Sequence, residues 1–173
     1  CENQPAETRE IPKRVLVETR NQNNEFVILP HRQNYILPIS HISEPNQDPY
    51  MESNFYPGFD EPIENEEVKF QISLKAPLTF SNLIADNDGI YFGVTITSFW
   101  QLYNRDLSSP FRENNYRPEI FYEAIIPSSF LKGTLLTRIG IEHQSNGRTQ
   151  LLSRSWNRAF GWPAAAGWIG TAG

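Results

Sequence analysis

The chain holds one cysteine, Cys1, in 173 residues, so no disulfide can form within it. No stretch reaches the roughly 18 consecutive apolar residues of a membrane-crossing helix. Positive charge is in deficit: 15 Lys and Arg stand against 20 Asp and Glu, for a formal net charge of -5. That balance leaves no electrostatic footprint for nucleic acid. The missing apolar runs do not exclude a membrane, because the strands of a barrel alternate in polarity and leave the average unremarkable. Histidine is scarce, at three residues, whereas proline (13) and aromatic residues (13%) are plentiful. The length is that of one domain with a sizeable core.

Residues 1–24 are polar and read as a tether. Cys1 is either a lipid-anchoring cysteine followed by the tether "ENQPAETREIPKR" or an arbitrary boundary. In "EFVILPHRQNYILPISHI" a strand-like composition is broken by Pro30 and Pro38, which suits a sheet edge. Glu44 to Glu67 carries eight acidic residues, four prolines and no Lys or Arg, the composition of a solvated loop.

Beyond it the pattern is period two. In "VKFQISLKA", Val68, Phe70, Ile72, Leu74 and Ala76 share one face, and Lys69, Gln71, Ser73 and Lys75 the other. "IYFGVTITSFWQLY" and "LLTRIGIEHQS" alternate likewise, and "EIFYEAII" more weakly. "DNDG" (Asp86 to Gly89) and "PSSFLKG" read as turns, and "NRDLSSPFRENNYRP" and "NGRTQLLSR" as polar loops. One-sided strands of about 9–11 residues fit a transmembrane barrel with lipid outside and a polar lumen. A soluble sandwich alternates in the same way.

Extending the parity of the last strand puts His143 and Ser145 on its apolar face with Ile139 and Ile141. Residues two apart on a strand lie about 6.5 Å apart on one face, within reach of an imidazole leaning toward a hydroxyl. If the chain returns antiparallel after "NGRTQLLSR", a register centred on Gln150 sets Asn157 opposite His143. Asn157 could accept the His143 Nδ1–H and leave Nε2 free for the Ser145 proton. Alternatively, His-x-Ser ends a strand and Asn146-Gly147 makes a turn, with no chemistry implied. His31 and His41 read as ordinary surface or interfacial residues.

"HQSNGRTQLLSRSWNR", with "SSPFRENNYRPEIF" and "EEVKFQISLKAPL", resembles the outer membrane phospholipase A family, from about Asn34 to Arg158. The resemblance implies an all-β, antiparallel transmembrane β-barrel of twelve strands in the outer membrane of a Gram-negative cell. It implies a Ca2+-dependent homodimer that hydrolyses the acyl esters of membrane phospholipids. By motif position Ser145 is similar to the nucleophile, His143 to its base and Asn157 to the residue orienting the base. Gly147 would give the oxyanion its backbone N–H. The Arg148 carbonyl, the Ser153 hydroxyl and Ser108 from the partner subunit would hold the metal. Gln150 stands where the family commonly has an acidic residue. Residues 25–160 are therefore expected to form about six of the twelve strands, as an N-terminal barrel half. Residues 161–173, rich in Ala, Gly and Trp, are expected to leave the sheet. The 173 residues taken alone are expected to be inactive. The rival class is a non-catalytic barrel or surface lipoprotein in which the motif only shapes a hairpin.

Overall fold

A computed structural model describes residues 21, 24, 26–47, 62–106, 109–128, 133–148 and 153–166. Cys1, nearly all of the tether and most of the acidic loop lie outside the described residues. Seven strands form one antiparallel sheet: β1 (Leu29–Pro30), β2 (Tyr35–His41), β3 (Glu66–Pro77), β4 (Asp88–Trp100), β5 (Phe111–Ser128), β6 (Gly133–Ser145) and β7 (Ser155–Ala166). The order is β1-β3-β4-β5-β6-β7, and β2 also pairs with β3. Leu29 faces Lys75 and Tyr35 faces Gln71 on the same edge of β3, so β1 and β2 are two pieces of one interrupted edge strand. Pro30 ends the first piece, and Pro38 sits where the register of the second shifts, between Leu37 and Ser40, because proline has no N–H for a ladder on both sides.

The sheet is amphipathic in the sense opposite to a soluble core. Lys75 is 1% exposed and Glu142 3%, whereas Ile139 and Ile141 are 60% and 63% exposed. Adjacent strands align these sets into rows. Ala76, Phe92, Ile120, Ile141 and Ala159 run across the outer face, and Lys75, Gly93, Glu119, Glu142 and Arg158 across the inner one. Burying such charges is tolerable only when they are paired. Lys75 Nζ lies 2.8 Å from Glu123, which also binds Arg138. Tyr91 and Phe121 stack between the charges at 5.7 Å. An apolar exterior around a paired polar interior is how a sheet meets hydrocarbon on one side and a filled lumen on the other. On the outer face near one end, Trp100 stacks on Phe111 at 5.4 Å and Phe70 meets Phe111 edge-on at 6.2 Å. Tyr116 follows along β5. Such an aromatic cluster marks the level of a membrane–water interface.

Three expectations are corrected. Residues 111–118, expected in a polar loop, begin β5. They are polar because this part of the strand stands beyond the apolar band, and the ladder to β6 skips Pro118, which has no N–H to give it. Residues 161–166, expected to leave the sheet, continue β7 as far as Ala166 opposite Thr134. There the backbone ladder, which needs no alternation, carries the strand on an edge that tolerates Pro163. His31, expected to be an ordinary surface or interfacial residue, is buried: Nε2 lies 2.8 Å from Glu119 Oε1 and the ring stacks on Phe121 at 5.0 Å. His41, exposed beside Glu66, is as expected. Of the turn expected at Asp86 to Gly89, Asp86 and Asn87 form it, with Asn87 at φ 60, and Asp88 and Gly89 already begin β4. Asp88 closes it by accepting the N–H groups of Leu83, Ile84 and Ala85 and the Tyr122 hydroxyl.

Gly140 sets one close approach. A Cβ there would lie 2.5 Å from the Ile120 carbonyl oxygen and 2.5 Å from Phe121 Cβ. Gly140→Ala must push β5 and β6 apart, and is expected to destabilise the protein by about 1–3 kcal/mol. A fall in the denaturant midpoint of the detergent-solubilised protein measures this; an unchanged midpoint refutes it.

Candidate active site

The ends of β6 and β7 bring the outer-face residues together. β6 pairs with β7 in a register that sets His143 against Asn157 and Ser145 against Ser155. This is the register centred on Gln150. His143 Nδ1 lies 2.8 Å from Asn157 Oδ1. An amide oxygen only accepts, so the imidazole donates from Nδ1 and keeps Nε2 as its acceptor nitrogen. Ser145 stands two residues further on the same face, opposite Tyr116 of β5, at the level of the aromatic cluster. Beside His143 and Asn157 an open groove of about 500 Å³ runs down the outer face between Phe92, Ile120, Ile141 and Ala159.

Residues 146–154 connect the strands, and Asn146 organises what is described of them. Buried, it gives its backbone N–H to the Arg154 carbonyl at 3.1 Å. Its Oδ1 accepts the N–H of Arg154 at 3.0 Å and of Arg148 at 3.4 Å. One side chain thus ties both ends of the loop, and sequence reasoning took it only for a turn residue. Gly147 has φ +64, a left-handed conformation costly for other residues, and a Cβ would approach Tyr116 to 3.2 Å. The Arg148 guanidinium donates to the Arg112 carbonyl, and Arg154 reaches Glu113 at 2.6 Å. These two arginines fasten the loop to the start of β5.

Of the expected site residues, His143, Ser145 and Asn157 share one face, and Gly147, Arg148 and Ser153 lie in the adjoining loop. Ser108 and Gln150 fall outside the described residues. The neighbour of Ser108 is firmly placed: Ser109, at φ 52, gives its N–H to the Asn104 carbonyl at 2.9 Å and takes the Trp100 indole N–H at 2.8 Å. Among the described residues no group of three or more His, Cys, Asp and Glu is placed to hold a metal. Glu142, buried on the inner face of the next rung opposite Arg158, is the neighbour of His143 that alternation alone did not single out.

Taken together, the sheet is that of a transmembrane β-barrel protein carrying Ser, His and Asn on its outer face. A family model described as Phospholipase A1 matches residues 11–166, beyond both limits of the motif resemblance. The chain is 36% identical over 142 residues to "Phospholipase A1" of Proteus vulgaris, covering 82% of this chain and 47% of that one. It is 34% identical over 142 residues to "Phospholipase A1" of Escherichia coli K12, with the same coverage. Its fold matches the calcium-bound dimer of the outer membrane phospholipase of Salmonella typhi, with a TM-score of 0.73 and 33% identity over 88% of this chain and 57% of that one. It also matches an active-site Asn-to-Ala mutant of outer membrane phospholipase A from Escherichia coli, with a TM-score of 0.72 and 32% identity over 85% of this chain and 55% of that one. The chain belongs to the phospholipase A1 family, and spans about half the length of the curated relatives it matches.

Proposed function

We propose that this chain carries the catalytic residues of an outer membrane phospholipase that hydrolyses acyl ester bonds, of A1 and A2 type, in membrane phospholipids. The observation that carries the proposal is the 2.8 Å contact between His143 Nδ1 and Asn157 Oδ1 beside Ser145. Asn157 holds the tautomer in which Nε2 takes the Ser145 proton as Oγ attacks the ester carbonyl. His143 then returns that proton to the departing lysophospholipid oxygen. It next deprotonates a water that cleaves the acyl-serine bond, releasing the fatty acid and restoring Ser145. The Gly147 N–H faces the oxyanion. The position of Ser145 at the aromatic cluster suits an ester that lies at the same depth in the bilayer.

The calcium named for the Salmonella typhi relative fits the donors here. The Arg148 carbonyl and Ser153 hydroxyl are neutral, hard oxygens, which calcium accepts and zinc does not favour. Asn146 keeps their two loop ends together. A third oxygen comes from Ser108 of the partner subunit, in a homodimer like that of the same relative. When bound, calcium supplies positive charge to the oxyanion, which the neutral Asn157 cannot. Chelator is expected to stop turnover and added calcium to restore it, with Ser153→Ala raising the calcium required by at least roughly tenfold. Full activity in excess chelator contradicts this.

The proposal as a whole is tested with a labelled fluorophosphonate on the protein in native membranes. An adduct on Ser145, absent from Ser145→Ala, supports an esterase. No label on Ser145 supports the non-catalytic barrel.

A further inference from the structure

We propose that Glu142 is a positioning residue for the hydrolytic site, its carboxylate holding β7 in the register that sets Asn157 against His143. The inference rests on the Ser-His-Asn reading and concerns how that geometry is kept. Glu142 and Arg158 form the rung next to His143 and Asn157. Side chains alternate across a strand, so the reactive pair points outward while the ion pair points inward. A slip of one residue would turn Asn157 to the inner face, and a slip of two would bring Ser155 or Ala159 opposite His143.

Besides the Asn146–Arg154 bonds at the mouth of the loop, few side chains fix this register. The 146–154 connection is too long for turn geometry to do so. On its outer face β7 offers Ser155, Asn157 and Ala159, small or polar groups with little to interlock. The other edge of β7 pairs with no strand among the described residues. The inner face is different. The Glu142 side chain is fully buried and meets arginines from three other segments: Arg158, Arg32 Nη2 at 3.1 Å and Arg117 Nε at 3.4 Å. Arg158 also lies over the Trp156 ring at 5.3 Å. Arg32 in turn binds Glu119 at 3.0 and 3.1 Å, and Glu119 takes His31 at 2.8 Å. Glu119 and Glu142 oppose each other on β5 and β6, so the arginines between them also relieve two buried carboxylates. The carboxylate that grips β7 is thereby anchored to β5 and to the corner between β1 and β2.

Arg158→Gln is the informative substitution, because Arg158 is the half-exposed partner, whereas Glu142→Gln would take this carboxylate from Arg117 and Arg158 together and leave Arg32 only Glu119. In the protein as it occurs in native membranes, Arg158→Gln is expected to lower kcat to about the level of Asn157→Ala with KM little changed. Arg158→Lys, which keeps the charge, should recover most of the loss. On the Asn157→Ala background, Arg158→Gln should cost nothing more, because the residue through which it acts is already gone. In the folded Arg158→Gln protein the downfield Nδ1–H resonance of His143 should broaden or vanish. Additive losses in the double variant with that resonance intact overturn the positioning role. So does wild-type kcat in Arg158→Gln while Ser145→Ala is dead, which leaves the triad standing. Wild-type turnover in Ser145→Ala removes the triad and this role together.

Discussion

Ser145→Ala and His143→Ala are each expected to lower phospholipid hydrolysis by roughly 10^4-fold or more, whereas Asn157→Ala should leave a rate higher than theirs by roughly 100-fold. The order follows from what each substitution removes. Without Ser145 no acyl-enzyme forms, and without His143 the hydroxyl keeps its proton, so either loss ends the covalent route. Without Asn157 both reacting groups remain and only the ring's tautomer and orientation are lost. A neutral amide also gives less to the imidazolium than a carboxylate would, so there is less to lose. Initial rates on mixed micelles at saturating calcium measure all three. An Asn157→Ala protein as inactive as Ser145→Ala would contradict this division of roles, and near-native turnover in Ser145→Ala would remove the nucleophile assignment.

The 173 residues expressed alone are expected to show no Ser145-dependent hydrolysis at all. The strand pieces β1 and β2 lie at one edge of the sheet and β7 at the other, with no further partner for either edge among the described residues. Across hydrocarbon each unpaired N–H or C=O costs several kcal/mol, and an open edge presents a row of them. The two edges are poorly matched: β1 and β2 are interrupted, and β7 runs continuously through Pro163 to Ala166. Asn157 lies on one of these edges, so the site would suffer first. Refolding the 173 residues in detergent with calcium, beside a relative of full family length, decides the matter. Turnover by the shorter polypeptide would show that six strand positions suffice.

The sheet was legible wherever one face meets hydrocarbon, since period two in β3, β4 and β6 is a direct record of a two-sided environment. The His143–Asn157 register was legible for a narrower reason: with both strands recognised, the centre of the connecting loop fixes which residues oppose. Other features have no local signature. The first half of β5 reads as a loop because its polar residues outnumber Phe111 and Tyr116 and break the alternation. β7 beyond Phe160 depends on backbone pairing with β6, which leaves no trace in side-chain pattern. The burial of His31 depends on Glu119 and Phe121, about ninety residues away in sequence. The inner-face ion pairs join β1–β2, β5, β6 and β7, so each arginine alone resembles an ordinary surface charge. Asn146 shows the same limit at short range, since a turn asparagine and one that ties two loop ends look identical until the loop is folded.

The outward direction of His143, Ser145 and Asn157 also decides which concentration the reaction feels. A site opening to water samples substrate per unit volume. One facing the surrounding lipid samples substrate per unit area, as a mole fraction among its immediate neighbours in the plane. Adding inert detergent at constant total phospholipid should therefore slow turnover by surface dilution. Diluting the whole suspension with buffer at fixed micelle composition should leave the rate per enzyme molecule nearly unchanged.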